Sequence, residues 1–274
     1  MRLMTSNCSL ENQNGTDRRP LRYDKTEDAL ALKDVSFHVA PGELVAIVGP
    51  SGCGKSTTLS LLAGLAKAES GRIELKGEAI NGPGLDRAVV FQEYSLFPWM
   101  TAEENICFAL EQVGIKDKKK AKEFLDQVGI DEAARQYPSS LSGGMRQRVA
   151  IARAFALGAP VYLLDEPFGA VDARNRIRLQ ELLLRLWQEG AEKKTIVIVT
   201  HDIEEAIYLA DRIIVFTPGP GKVLKEVEVP YERPRNRYHL TRDKSYIALR
   251  NELLALLQND LLDELITVEG GSGI

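Results

Sequence analysis

The chain has 274 residues, 44% of them hydrophobic and 27% charged, which is typical of a globular protein with one large domain or two small ones. A formal net charge of −4 argues against a nucleic-acid-binding protein, and no apolar run approaches the roughly 18 residues of a membrane span. We expect no secretory signal, and the three scattered cysteines exclude a disulfide framework or a zinc site, which favours reduced, cytosolic thiols.

In chain order, residues 1–20 are polar and without periodicity, so we predict a disordered leader there. From residue 21 to about 230, short apolar runs alternate with helical patterns, which predicts a parallel sheet covered by helices on both faces. A helical subdomain is predicted at about 97–150, and a capping box at Thr101–Glu104 opens its first helix. A long helix is predicted at 174–187 with an apolar side of Leu179, Leu182, Leu183 and Leu186, and Asp202 is predicted to cap a helix at 203–211. Residues 231–274 are predicted to form a C-terminal extension with one helix at about 243–258 and a flexible tail from Gly270. The predicted strands lie at residues 35–39, 44–48, 72–75, 88–91, 161–164, 195–199, 213–216 and 223–224.

One glycine-rich segment fits the phosphate-binding pattern G-x-x-x-x-G-K-[ST] and lies between a predicted strand and a predicted helix. It consists of Gly49, Pro50, Ser51, Gly52, Cys53, Gly54, Lys55, Ser56 and Thr57. Its glycines allow backbone N–H groups to approach phosphate oxygens, and the following helix directs its positive end at the same anion. Lys55 is predicted to bind the β- and γ-phosphates and Ser56 to bind Mg²⁺. The alternative is a glycine-rich turn that binds nothing, which the flanking strand and helix disfavour.

Four polar groups follow apolar runs, namely Gly49, Gln92, Asp165 and His201. Because the carboxyl ends of parallel strands meet at one edge of a sheet, we expect these groups to form a single active site. An unpaired carboxylate at the end of a buried strand is costly, so Asp165 is predicted to bind a cation. Simpler roles stay open: a helix-capping Asp165, a surface Glu166, a packed core His201 and a Gln92 bonded to backbone.

The segment Leu141–Gln147 resembles the signature motif of ATP-binding-cassette (ABC) ATPases, and the other motifs occur in the family's order over about residues 23–222. The resemblance implies a P-loop NTPase (RecA-like) core, with an antiparallel β subdomain and an inserted helical subdomain. The motifs are the phosphate loop, the Q-loop glutamine Gln92, the Walker B strand Val161–Glu166, the D-loop Phe168–Asp172 and the switch histidine His201.

The resemblance also implies a role for each matching residue. Glu166 corresponds to the general base, and His201 to the residue that contacts the γ-phosphate. Mg²⁺ would be bound by Ser56, Gln92 and Asp165. The adenine would stack on Tyr23, and the nucleotide of the opposite subunit would contact Ser142, Gly143, Gly144 and Asp172. The implied active unit is a head-to-tail pair of ATPase subunits with two ATP molecules between them.

Three further segments, at residues 95–100, 200–211 and 216–221, resemble the nitrate/sulfonate/taurine/bicarbonate importer branch. The implied function is an ATPase subunit at the cytoplasmic face of the membrane. It would bind permease subunits through the segment near Gln92–Trp99 and serve a substrate-binding protein indirectly, with no nucleic-acid partner. An importer for thiamine precursors is the nearest alternative. A soluble ABC ATPase of DNA repair or chromosome organisation would need a coiled coil or a basic face, and a GTPase would need the absent Asn-Lys-x-Asp motif.

Overall fold

The structure, a computed structural model, describes residues 1–8, 30–189 and 193–270, with the backbone alone at 2–8 and 258–270. Its strands are β1 (Arg2–Cys8), β2 (Leu32–His38), β3 (Leu44–Val48), β4 (Arg72–Leu75), β5 (Glu78–Ala79), β6 (Arg87–Val90), β7 (Val161–Asp165), β8 (Thr195–Val199), β9 (Arg212–Phe216) and β10 (Val223–Glu228). Its helices are α1 (Lys55–Ala63), α2 (Ala102–Gln112), α3 (Lys118–Gln127), α4 (Gly143–Ala156), α5 (Ala173–Gln188), α6 (Ile203–Leu209), α7 (Arg237–Leu240) and α8 (Lys244–Gly270).

The chain divides into two compact units. The first unit contains residues 1–39, 44–82 and 199–274, and the second contains residues 40–43 and 83–198. The first unit therefore holds the phosphate-binding loop. The second unit holds Gln92, the Walker B carboxylates and the signature motif.

The first unit contains an antiparallel sheet with the strand order β2-β1-β4-β5, as the resemblance predicted. It also contains the strand order β10-β9-β3, in which β3 runs parallel to β9 and β10 runs antiparallel to it. Every residue of β3 is buried, in agreement with its continuous apolar sequence. Because β3 and β9 are parallel, the loops that follow them begin at the same edge of the sheet.

The disordered leader is a wrong prediction for Arg2–Cys8, which forms strand β1. This strand pairs antiparallel with β2, from Arg2↔His38 to Cys8↔Leu32, and with β4 on its other side. The backbone hydrogen bonds of two neighbouring strands hold β1 in place, and such bonds leave no apolar periodicity in the sequence. The remaining residues of the predicted leader, 9–20, lie outside the described residues.

The second unit contains the strand order β8-β7-β6, with β6 parallel to β7. Helices α2, α3 and α4 contact one another and form the predicted helical subdomain, and α4 also contacts β6 and α5. The predicted capping box opens α2, since the Thr101 hydroxyl accepts a hydrogen bond from Glu104 N and the Glu104 carboxylate accepts one from Thr101 N. The predicted apolar stripe of α5 is buried. It consists of Leu179, Leu182, Leu183 and Leu186.

The C-terminal extension differs from the prediction of one helix at about 243–258. It contains two helices, α7 and α8, and α8 continues to Gly270, the residue at which we predicted the start of the flexible tail. Helix α8 contacts α6, and Arg250 pairs with Glu204 there at 2.8 Å. The last residues, 271–274, lie outside the described residues. Within the described part of the chain, no helix has both the length and the apolar character needed to cross a bilayer.

Candidate active site

The phosphate-binding loop lies between β3 and α1, in the strand–loop–helix order that the motif requires. Gly54 is the N-cap of α1, with φ 88°, and no side chain caps the helix there. Gly52 also has a positive φ of 80°. The start of α1 is thus without a capping side chain, and an anion such as a phosphate would bind its first N–H groups.

Lys55 is buried, with 8% of its surface exposed, and its amine bonds to the backbone at the start of the loop. Its Nζ atom donates hydrogen bonds to Gly49 O at 2.8 Å and to Pro50 O at 2.7 Å. The amine is therefore held close to the loop by neutral carbonyls, which a phosphate group can replace as partners. Burial raises the pKa of the neighbouring Cys53 thiol, and the charge of Lys55 partly opposes this rise. Cys53 is therefore a protonated packing residue.

Two glycines of the loop are required by packing as well as by phosphate approach. A Cβ on Gly49 would lie 2.7 Å from Cys53 Sγ and 3.0 Å from Phe216 Cβ. A Cβ on Gly54 would lie 2.5 Å from Leu32 Cδ2. The β2 and β9 regions of the first unit therefore limit the shape that the loop can adopt.

His201 belongs to the same unit and follows Thr200, whose N–H donates to Ile47 O of β3 at 3.2 Å. Its side chain is exposed, which excludes the alternative of a packed core histidine. The next residue, Asp202, caps α6 by accepting a hydrogen bond from Glu205 N at 3.0 Å, as predicted. The residue before His201 is thus hydrogen-bonded to β3, the strand that leads into the phosphate-binding loop.

In the second unit, Gln92 and Glu166 are brought together by the parallel pair β6 and β7. Gln92 Nε2 donates to Glu166 Oε2 at 3.4 Å, and Asp165 is the half-buried last residue of β7. Glu166 has a φ of 43°, which is rare for a residue with a Cβ and is found most often at functional sites. The hydrogen bond between Gln92 and Glu166 was not among the predictions, and it links the ends of two neighbouring strands.

The signature motif forms the start of α4. Ser142 is exposed and caps the helix by accepting a hydrogen bond from Met145 N at 3.3 Å, so the plain N-cap role is present. Gly143 leaves room for Tyr94, because a Cβ on Gly143 would lie 3.3 Å from Tyr94 Oη. Asp172 caps α5, and hydrogen bonds from Asn175 hold the pKa of the Asp172 carboxyl below its usual range.

The segment Gln92–Met100, called the Q segment below, is held by a side chain that was not among the predicted functional residues. Asn105 of α2 is fully buried; its amide donates to Phe97 O, Met100 O and Thr101 O, and its Oδ1 atom accepts from Phe97 N. Arg153 of α4 bonds Asn105 Oδ1 and Tyr94 O, each at 3.4 Å. An Asn within a helical apolar pattern was the signal that could have identified it.

The predicted residues are divided between the two units. The phosphate-binding loop and His201 belong to the first unit, and Gln92, Asp165, Glu166 and the signature motif belong to the second. That the two groups make one active site stays a prediction. Tyr23, the predicted adenine-stacking residue, lies outside the described residues.

Comparison with known proteins identifies the family. A family model described as "ABC transporter" matches residues 32–169, about half of the chain. The chain belongs to the ABC transporter family. Its fold is also that of a solved ABC cassette, a dimer in a post-hydrolysis state with ADP and Pi bound. That cassette is 31% identical to this chain, with a TM-score of 0.68, and the match covers 85% of this chain and 100% of the other.

The curated relatives of this ABC protein include ATP-binding proteins for nitrate import, taurine import and bicarbonate transport. The nitrate import ATP-binding protein NrtC of Synechococcus elongatus is 48% identical over 84% of this chain, which spans only 35% of that relative's length. The taurine import ATP-binding protein TauB of Chromobacterium violaceum is 44% identical over 87% of this chain and 93% of its own. The bicarbonate transport protein CmpD of Synechococcus elongatus is 44% identical over 83% of this chain and 84% of its own.

The residues predicted to bind Mg²⁺ in this ABC cassette carry oxygen donors of the kind that this ion uses. Among the described residues, no group of three His, Cys, Asp or Glu side chains could hold a metal ion by itself. The predicted donors are one hydroxyl, Ser56, one amide, Gln92, and one carboxylate, Asp165. Such a sparse set suits Mg²⁺, which is usually bound by one or two carboxylates together with water and substrate phosphates.

Proposed function

We propose that this chain is the ATP-hydrolysing subunit that powers a bacterial ABC importer for a small anion, such as nitrate, a sulfonate, taurine or bicarbonate. The observation that carries the proposal is the phosphate-binding loop, with its uncapped α1 N-terminus and buried Lys55 amine. The names of the curated relatives support the importer class and the range of anions.

ATP binding is assigned to the phosphate-binding loop. The N–H groups at the start of α1 would bind the phosphates, and the Lys55 amine would exchange its two carbonyl partners for phosphate oxygens. Bound Mg²⁺, held by Ser56, Gln92 and Asp165, would neutralise developing charge on the phosphate oxygens. We place the adenine against Tyr23.

Hydrolysis is assigned to Glu166, Gln92 and His201. Glu166 is the proposed general base, since its carboxylate can accept a proton from water. The Gln92 amide donates to that carboxylate at 3.4 Å, and we propose that both side chains contact the same water molecule. His201, which is exposed, is proposed to contact the γ-phosphate. Catalysis would then consist mainly of positioning the water and the γ-phosphoryl group and of stabilising the charge of the transition state.

A second ATPase subunit, identical or closely related, is proposed to complete each site. Ser142, Gly143 and Gly144 at the start of α4 and Asp172 at the start of α5 would contact the nucleotide of the opposite subunit. The solved ABC cassette of similar fold is itself a dimer, which supports a paired arrangement. ATP would favour the closed pair because it binds both surfaces only in that state.

The permease subunits are proposed to bind an aromatic patch made of Phe97, Trp99 and Phe108. The Phe97 ring lies 5.5 Å from the Trp99 ring and 4.8 Å from the Phe108 ring, and Trp99 is 68% exposed. This exposure removes the alternative that Trp99 is core of the helical subdomain. Exposed aromatic clusters often mark interaction sites, so we assign the chain to the cytoplasmic face of the membrane as a peripheral subunit.

The test begins with the purified full chain. We expect hydrolysis of ATP in preference to GTP, and loss of hydrolysis on chelation of Mg²⁺. The chain is then co-expressed with the permease subunits encoded by neighbouring genes and reconstituted with a substrate-binding protein. Uptake of labelled nitrate, taurine, an alkyl sulfonate, bicarbonate and a thiamine precursor is measured in parallel. Uptake of thiamine precursors alone, or no uptake despite ATP hydrolysis, contradicts the proposed substrate class.

A further inference from the structure

We infer that the loop after β9, Thr217–Lys222, positions the phosphate-binding loop, and that Gly221 is its central positioning residue. The inference rests on the proposed function, because it concerns the same nucleotide site. The loop follows β9, which is parallel to β3, so both loops begin at the same edge of the first unit. None of the roles assigned above uses this segment, whose sequence was noted only for its resemblance to the importer branch.

The closest approach between the two loops is made by backbone. A Cβ on Gly221 would lie 2.0 Å from Cys53 O and 3.1 Å from Cys53 C. Gly221 is buried, and a Cβ on its neighbour Gly219 would lie at an ordinary 3.6 Å from Gly52 O. A side chain at position 221 therefore cannot be added unless one of the two backbones moves.

The loop of Gly221 is held on two sides. Gly221 N donates to Ala31 O at 3.0 Å, and Gly221 O accepts from Lys33 N at 3.0 Å, so the β2 region binds it through both backbone groups. Thr217 closes the loop, since its Oγ1 atom accepts from Lys222 N at 3.0 Å and its N–H donates to Lys222 O.

Of the two backbones, we expect that of Cys53 to move. Its own N–H makes a long hydrogen bond of 3.4 Å to Pro50 O, whereas both backbone groups of Gly221 bond to the β2 region at 3.0 Å. A methyl group on Gly221 would push the Cys53 carbonyl away. Because the peptide unit is planar, the Gly54 N–H would rotate with that carbonyl. This N–H belongs to the donors at the start of α1 that face the phosphates in our proposal. The expected consequence is weaker nucleotide binding.

The test compares Gly221→Ala with Gly82→Ala in the full chain, by titration with ATP and ADP in Mg²⁺ well below the melting temperature. A Cβ on Gly82 meets nothing within 4 Å, so this variant is the matched control. We expect Gly221→Ala to weaken nucleotide binding at least about tenfold, equivalent to ~1.4 kcal/mol, and Gly82→Ala to bind as wild type does. Melting curves and circular dichroism without nucleotide report whether the fold is kept.

The other outcomes also support or overturn the inference. If Gly221→Ala lowers the melting temperature but binds ATP as wild type does, the segment contributes to the stability of the fold alone and the inference is overturned. If Gly221→Ala fails to fold, Thr217→Val replaces it. This variant removes the Thr217 hydroxyl bond to Lys222 N and is expected to weaken ATP binding with little change in melting temperature. Unchanged ATP binding by Thr217→Val then overturns the inference. If wild type itself binds no ATP, the proposed function fails instead.

Discussion

The phosphate-binding loop and the Q segment are built in different ways. The loop is shaped by glycines, by backbone contacts such as that between Cys53 and Gly221, and by the buried amine of Lys55. The Q segment is largely exposed and is held by side chains, chiefly Asn105 and Arg153. Burial lowers the pKa of Arg153, although not enough to discharge an arginine at neutral pH.

Because of this difference, we expect nucleotide binding to be a property of the isolated chain and catalysis to depend on partners. A loop fixed by backbone contacts is ready for phosphate before any partner arrives, which lowers the cost of binding. A segment held by side chains, with left-handed backbone at Tyr94 and Ser95, can change its arrangement by breaking a few hydrogen bonds. We therefore expect substitutions in the loop to affect nucleotide binding by the isolated chain. Substitutions in the second unit should affect turnover and assembly.

The largest effect is expected for Glu166→Gln. The variant keeps the hydrogen-bonding shape of the side chain but cannot accept a proton, so hydrolysis should fall about 10²–10⁴-fold while ATP binding remains. Phosphate release and ATP titration measure the two properties, and the protein should accumulate as a closed dimer in Mg-ATP. By contrast, Lys55→Ala should lose ATP binding as well as hydrolysis. Phosphate release within a factor of two of wild type in Glu166→Gln would contradict the assignment.

The second prediction concerns sharing of the site. Ser142→Arg should bind ATP almost normally as a single subunit and lose dimer-dependent turnover, because Ser142 is exposed at the start of α4 and faces the partner's nucleotide in our proposal. Mixing this variant with Lys55→Ala leaves one intact composite site per mixed dimer, so activity should return. The control is a demonstration that mixed dimers form. No recovery in their presence would exclude the shared site.

The third prediction uses the two tryptophans of the chain as a matched pair. Trp99 is 68% exposed, whereas Trp187 is 1% exposed and donates from Nε1 to Lys194 O at 2.6 Å. Trp99→Ala should weaken assembly with the permease in a pull-down and leave the melting curve of the isolated chain unchanged. Trp187→Ala should lose about 3–5 kcal/mol of stability. Normal assembly together with a sharply lowered melting temperature in Trp99→Ala would contradict a role of Trp99 in permease binding.

The smallest effect is expected at the capping box that begins α2. Thr101→Ala should lose about 1 kcal/mol of stability, measured by denaturant unfolding. Hydrogen bonds from Thr101 lower the pKa of the Glu104 carboxyl. A lowered pKa stabilises the fold above the unfolded-state pKa, and this stabilisation is lost as the pH falls through the folded-state pKa. Thr101→Ala keeps the backbone N–H bond to Glu104, the larger cause, and removes the hydroxyl bond, so the gap between wild type and the variant should shrink at acidic pH. A constant gap would show that the Thr101 hydroxyl does not stabilise the Glu104 carboxylate.

The elements that were predicted correctly are those whose sequence signal lies within a few neighbouring residues. The buried strands β3, β7 and β8 match the predicted runs, and the caps at Thr101 and Asp202 are present where the sequence placed them. Strand β1 was missed because its pairing partners lie far along the chain and leave no periodic pattern. The end of α8 was predicted too early, at about residue 258, where the apolar side formed by Ile247, Leu254 and Leu257 ends, whereas the helix continues to Gly270.

The amino-acid sequence alone determined the phosphate-binding loop, the Walker B carboxylates and the signature helix, because each of these depends on residue types at short, regular spacing. Tertiary structure decided which side chains are exposed and which backbones touch. The exposure of Trp99, the burial of Asn105 and the approach of Gly221 to Cys53 all depend on elements far apart in the chain. Local sequence carries no record of such contacts, since they arise only when separate strands and helices pack together.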